Sequence, residues 1–303
     1  MGERTERPAV ICCALSGALA DRDQCPGIPY TPAEYAAEAR RIVDAGGVHI
    51  HVHARRPAGT PSHAVEDYRA IGEAIRAEVG GEAILNFSTG TVGVSVERRV
   101  AYLEGYPPEV AAINMGSLNY AKFSRSRRAF VFEMVFANPF EEIVELLGAL
   151  RRLGIKPEHE CFDVGHVGSL APLGEIGLLD ERIHVDFVMG VLGGIPATAR
   201  NLAAMADNLP AGEHHWSVIG IGRVQWQMLA ASLALGGSIR VGFEDNFYLP
   251  SGEMARSNGE LVAEAHRLCL ASGRRRADVA EARAMLGLPG VASQPAAPTG
   301  SGV

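Results

Sequence analysis

The chain is poor in aromatic residues, at 6% of 303, and positive charge is its minority sign. Lys and Arg number 28 against 35 Asp and Glu, so the formal charge is 28 − 35 = −7. Such an acidic chain lacks the electrostatic footprint of a nucleic-acid binder. No apolar run approaches the roughly 20 residues that span a bilayer. The opening MGERTERPAV offers no apolar core of the kind a signal peptide carries. Cysteines are few, odd in number and scattered: Cys12, Cys13, Cys25, Cys161 and Cys269. They exclude a disulfide framework and suit reduced thiols in a cytoplasm.

What is present is a 47% apolar fraction, enough to bury a full core and to exclude disorder. Residues 1–7 and 289–303 carry no periodicity and are expected to be mobile ends. Between them, over 8–288, short apolar and β-branched runs alternate with helical stretches as one catalytic domain. Eight strands are predicted: Val10–Leu15, Val48–His53, Ala83–Ser88, Ala111–Met115, Glu160–Val164, His184–Met189, Ser217–Ile221 and Ser238–Phe243. Most are near-continuous apolar runs, as parallel strands covered by helices require. The first helix opens at Thr31-Pro32-Ala33-Glu34, a capping box with Pro at the first helical position. Another box, Asp278 with Glu281, opens the last. Eight strand–helix units in this length predict a single-domain (β/α)8 TIM barrel. The rival open doubly wound sheet wants G-x-G-x-x-G after its first strand, and LSGALADRD lacks it. Residues 116–138 interrupt the repeat and are expected over the top face of the barrel.

The strongest chemical signal is His49-Ile50-His51-Val52-His53. Side chains two apart in a strand share a face, so the three histidines point inward while Ile50 and Val52 face helices. Imidazoles inside a barrel are costly unless their nitrogens are used. Core histidines satisfied by neighbours are one reading. The other is a divalent metal held by His51 and His53 near the top, with His49 deeper. The run Ser238-Ile239-Arg240-Val241-Gly242-Phe243-Glu244-Asp245 supplies a carboxylate: alternation turns Arg240 and Glu244 inward, and Glu244 reaches the height of His53. Together His51, His53 and Glu244 form a set of two imidazoles and one carboxylate with open positions, the pattern of a catalytic zinc. Asp245 follows at the rim as a base or as a partner of Arg240. An Arg240–Glu244 pair that merely fills the barrel is the competing reading. Asn86, Ser88, Thr89, Asn114, Glu160, Asp163 and His166 add polar groups at strand ends, Glu160 being placed at the start of the fifth strand. In the insertion, Lys122, Arg125, Arg127 and Arg128 form either a solvated basic loop or a phosphate clamp. Arg274–Arg276 reads as a solvated helix end.

These residues resemble the β-keto acid cleavage enzymes, a family that includes the 3-keto-5-aminohexanoate cleavage enzymes. The resemblance runs through Leu15-Ser16-Gly17-Ala18, Thr31-Pro32-Ala33-Glu34, His51-Val52-His53-Ala54-Arg55 and Ser88-Thr89-Gly90. It continues through Asn114-Met115-Gly116-Ser117, Pro157-Glu158-His159-Glu160, Gly220-Ile221-Gly222-Arg223, Arg240 to Asn246 and Ser257-Asn258. It implies a barrel, usually tetrameric, with zinc on His51, His53 and Glu244. It implies a β-keto acid and acetyl-CoA as substrates, and acetoacetate and a new acyl-CoA as products. Asp245, Arg240 and Glu160 would form the proton relay, Ser88 and Asn114 would hold the substrate, and Arg125 and Arg127 would meet the CoA phosphates. Relatives that take an amino-substituted substrate carry an acid where this chain has Leu19, which implies a neutral, apolar substrate tail. Arg56, often acidic in relatives, leaves an anionic tail as the alternative. The competing classes are a CoA-independent barrel metallohydrolase and a ligand-sensing barrel without turnover.

Overall fold

The computed structural model describes residues 7–290, so nearly all of the two ends expected to be mobile lies outside the described residues. Eight strands form a closed, all-parallel barrel. They are β1 (Ile11–Ala14), β2 (His49–Val52), β3 (Ile84–Ser88), β4 (Val110–Asn114), β5 (Lys156–Cys161), β6 (Arg182–Met189), β7 (Glu213–Gly220) and β8 (Ser238–Val241). Each pairs with the next, and β8 closes on β1 through Arg240 opposite Cys12. The helices are α1 (Pro32–Ala45), α2 (Val65–Val79), α3 (Val96–Gly105), α4 (Phe140–Leu153), α5 (Val164–Gly168), α6 (Leu170–Glu175), α7 (Ala199–Asp207), α8 (Gln225–Leu235), α9 (Asn258–Ala271) and α10 (Val279–Leu286). None is long and apolar enough to cross a membrane. The (β/α)8 barrel is therefore the observed fold.

Both predicted capping boxes form. Thr31 Oγ1 accepts from the Glu34 N–H while Glu34 Oε2 accepts from the Thr31 N–H at 2.9 Å. Asp278 and Glu281 do the same for α10. The apolar stripe of α1, Tyr35, Ala39 and Ile42, is fully buried. Outward-facing strand residues such as Ile50, Val52, Ile239 and Val241 meet the helices in one core. At the opposite end, Ala282 and Leu286 of α10 pack on Val10, Val48, Ile84 and Val110, plugging the N-terminal end of the barrel. The C-terminal mouth is the end left for ligands.

Four expectations change. First, β5 begins at Lys156, not at Glu160. Its polar sequence hid it: Glu158 and Glu160 point into the barrel, while outward His159 shares a hydrogen bond of 2.8 Å with the His184 carbonyl. Glu160 therefore stands near the C-terminal end of β5, at the mouth. Second, β8 ends at Val241 instead of continuing to Phe243. Gly242 takes φ +133, and a Cβ there would lie 2.2 Å from the Ala14 carbonyl oxygen, so the chain leaves the strand where it presses on β1. Third, the 116–138 insertion, expected only to interrupt the repeat over the top face, adds two strands to the eight predicted. It is an antiparallel hairpin, Leu118–Ser124 paired with Ala129–Phe136, tied to the barrel where the Ala121 N–H donates to the Leu192 carbonyl at 3.3 Å. Fourth, Arg274 is no solvated helix end. It is buried, and its guanidinium donates to the carbonyls of Arg7, Pro8, Leu233 and Gly237. Pairing of Pro8–Ala9 with Arg275–Arg276 brings these carbonyls together.

Candidate active site

The backbone of His53, one residue past β2, is pinned by two hydroxyls. Ser16 Oγ donates to its carbonyl at 2.9 Å and Tyr35 Oη at 2.6 Å. Arg55 then reaches back under the loop after β1, donating to the carbonyls of Gly17 at 2.9 Å and Ser16 at 3.1 Å. The loop after β8 is held as firmly. Asn258, at the start of α9, accepts from the Phe243 N–H at 2.9 Å and donates to the Leu15 carbonyl at 3.1 Å. Two neighbouring strand ends are thus clamped to one buried side chain. Gly17, at φ +57, lets the β1 loop pass Glu244, where a Cβ would come within 2.7 Å of its Cγ.

This scaffold brings His51, His53 and Glu244 together, with their donor atoms all within 4.8 Å of one another. His51 Nε2 lies 3.6 Å from Glu244 Oε2, and His53 Nε2 lies 3.4 Å from Glu244 Oε1. Arg240, 2% exposed, spreads its guanidinium over three carboxylates. Nε and Nη2 donate to Asp245 at 3.0 and 3.1 Å, Nη1 donates to Glu160 at 3.1 Å, and Nη2 also reaches Glu244 at 2.8 Å.

Burial sets the protonation states. It holds the His51 imidazole well below its usual pKa, with the Arg240 charge adding to the effect, so the ring is neutral. Burial pushes Glu244 up, but the His53 ring and the Arg240 guanidinium outweigh it and keep this carboxyl well below its usual range. For Asp245 burial wins over Arg240 and the carboxyl rises to about 6. Glu160 rises by the same balance to about 7. One neutral imidazole and one firm anion thus stand beside two carboxyls poised near neutrality, as general bases should be.

The groups open into a cavity of about 320 Å3 at the C-terminal mouth. Ser88, Asn114, Glu160, Arg240, Glu244 and Asp245 supply its polar floor. The rest of its wall is largely apolar, including Val188 and Ile219 from β6 and β7 and Met134 and Phe136 from the hairpin. Leu19 stands at the rim, 62% exposed. Sequence reasoning missed this apolar wall, because the hairpin shows as an insertion and not as a lining. It also missed His63, which lines the cavity with its Nδ1 buried and unpartnered. Arg125 and Arg127 sit on the exposed hairpin turn and do not line the cavity. Asp163 caps α5, accepting from the Gly165 N–H, and His166 Nδ1 accepts from the Phe162 N–H, so neither joins the site. Arg56 points to solvent beside Asp67, at 3.9 Å, away from the cavity.

The three-residue set fits a divalent metal. His51 Nε2 and Glu244 Oε2 are buried and have no hydrogen-bond partner. Imidazole nitrogens and an ionised carboxylate are the donors such an ion selects. The ligand atoms also stand too far apart for strong hydrogen bonds to each other.

Fold and site together define a (β/α)8-barrel enzyme with its chemistry at the C-terminal mouth. Residues 8–288 match the family described as beta-keto acid cleavage enzyme, and the chain belongs to that family. It is 36% identical over 282 residues to the 3-keto-5-aminohexanoate cleavage enzyme of Acetoanaerobium sticklandii, covering 92% of this chain and 98% of that one. It is 32% identical to the 3-oxoadipate:acetyl-CoA acetyltransferase of Cupriavidus necator, covering 93% and 96%. Among solved structures, the binary complex of ObcA with oxaloacetate superposes with a TM-score of 0.74 at 22% identity, over 88% of this chain and 68% of that one. That likeness speaks for the fold.

Proposed function

We propose that the protein converts a β-keto acid with a neutral, apolar tail and acetyl-CoA into acetoacetate and a new acyl-CoA. The observation that carries this reading is the Arg240 guanidinium holding Asp245, Glu160 and Glu244 beside His51 and His53, at the foot of an apolar-walled cavity. Curated relatives named for acetyl-CoA transfer differ in the rest of their substrate, from 3-oxoadipate to 3,5-dioxohexanoate. The acetyl-CoA half is thus the shared element, and the tail is what each chain must read.

His51, His53 and Glu244 would hold a zinc ion or another divalent transition metal, which when bound supplies Lewis-acid polarisation of the keto oxygen. Asp245 takes the proton from C2 of the keto acid, with Arg240 steadying the carboxyl and Glu160 passing charge along the relay. Ser88 and Asn114 hold the substrate carboxylate. The C2 carbanion attacks the acetyl thioester carbonyl and expels CoA thiolate. The thiolate adds to the former keto carbon, and the bond between that carbon and C2 breaks. C2 recovers its proton and leaves in acetoacetate, while the tail leaves as acyl-CoA. Leu19 and the apolar wall select the tail. Arg125 and Arg127 contact the CoA phosphates from the hairpin turn, beyond the reacting end.

We further infer a cytoplasmic homotetramer. Five buried, free cysteines suit a reducing compartment. The hairpin exposes Phe130 at 54% and Val135 at 65%, surface that a partner subunit would cover. The deciding experiment incubates metal-loaded protein with acetyl-CoA and a panel of β-keto acids and follows acetoacetate. Turnover is expected to be fastest with neutral, apolar tails. A preference for the 5-amino compound would overturn the tail assignment. Hydrolysis that ignores CoA would select a metallohydrolase instead.

A further inference from the structure

Below the mouth, the barrel holds a second set of donors that the proposed reaction does not use. Glu158 of β5 and His184 and Asp186 of β6 have donor atoms all within 4.8 Å of one another. All three are buried, at 0, 2 and 1% exposure. His184 Nε2 lies 3.6 Å from Glu158 Oε2 and 3.3 Å from Asp186 Oδ1. From β2, His49 Nε2 faces Glu158 Oε2 across 3.8 Å; it is 1% exposed and has no hydrogen-bond partner. Both oxygens of Glu158 and Oδ2 of Asp186 also lack a partner. Ser217 Oγ donates to Asp186 Oδ1 at 2.5 Å.

Two buried carboxylates without a cation are costly. Arg240, the guanidinium of the barrel interior, places its hydrogen bonds on Asp245, Glu160 and Glu244, and none reaches Glu158 or Asp186. The spacing points to what compensates them. Two ligands each about 2.1 Å from one tetrahedral ion stand about 3.4 Å apart, close to the distances from His184 to both carboxylates. Imidazole nitrogens among the donors argue against calcium or magnesium, which take oxygen.

We propose that Glu158, His184 and Asp186 bind a first-row divalent transition ion in the barrel core, separate from the set at the mouth. Glu158 links the two: its Oε1 faces His51 Nδ1 across 3.8 Å, behind the ring whose Nε2 points to Glu244. An ion on Glu158 thereby fixes the carboxylate that backs a mouth ligand.

The test strips the full chain with a chelator, reloads it with Co2+, removes excess by gel filtration and counts cobalt by elemental analysis. Wild type is expected to hold two equivalents and the His53→Ala/Glu244→Gln variant one. The His184→Gln/Asp186→Asn variant should also hold one. Should it fail to fold, the mouth variant decides alone. Loss of all cobalt from His53→Ala/Glu244→Gln, with one equivalent in wild type, would overturn the proposal and leave protons as the compensation in the core. One equivalent in both wild type and the mouth variant would keep the core site and instead remove the metal assigned to the mouth.

Discussion

Arg240 touches three carboxylates, and the role of each can be separated by a single atom. Asp245→Asn keeps the shape and removes the base. Metal content measured by elemental analysis should stay at the wild-type level, while kcat falls about 10²–10⁴-fold, the usual worth of a positioned base. Full rate in Asp245→Asn would move the base elsewhere. His53→Ala acts at the other end of the set. It should lower metal bound at the mouth and abolish acetoacetate formation, and undiminished turnover after dialysis against a chelator would refute the ligand assignment. Leu19 is a specificity position by location, since it stands at the cavity rim. Leu19→Glu should raise kcat/KM for an amino-tailed substrate relative to an apolar one, and competition assays with both substrates read the ratio directly.

At the scale of elements, the hairpin and the helix caps make different demands. Arg125 and Arg127 sit on the hairpin turn, outside the cavity, so their proposed contact is with the remote phosphates of CoA. Reversing both charges should raise KM for acetyl-CoA and leave kcat nearly unchanged. An unaltered KM would return the turn to a solvated basic loop. The α1 cap gives a stability prediction. Partial burial pushes Glu34 up, but Arg22 and the N–H groups of Tyr30 and Thr31 outweigh it and pull the carboxyl down to about 2. A depressed carboxylate stabilises the fold above its unfolded pKa, and this contribution fades as pH falls from 4.5 towards 2. Glu34→Gln should therefore melt lower than wild type at pH 7, with the gap closing across that acid window in thermal scans. Thr31→Ala should cost about 1 kcal/mol at neutral pH.

At the scale of the molecule, the barrel divides its two ends between tasks. Helix α10 plugs the N-terminal end with apolar packing, and the C-terminal end gathers polar groups around a cavity. The exposed hairpin valines and phenylalanines give the tetramer proposal a handle. Val131→Asp/Val135→Asp should shift the assembly to smaller species in light scattering while leaving the barrel folded by circular dichroism.

Local pattern alone carried the barrel, both capping boxes and the inward histidines, because period and capping chemistry act within a few residues. It also put Glu244 beside His53, although the strand it was counted along stops at Val241. The same alternation was present in His184-Val185-Asp186, inside a predicted strand, and in Glu158-His159-Glu160, whose polar run hid the start of β5; that the two strands turn their donors toward one another shows only once the barrel closes. Closure also decided which carboxylates share Arg240, that the insertion folds into the wall of the cavity, and that Arg274 ends buried among carbonyls from the N-terminal segment, the end of α8 and its connection to β8. Those are contacts between residues up to 267 positions apart. Sequence determines which way each side chain faces from its own strand, whereas the geometry of eight strands meeting in a cylinder determines which of them share one charge.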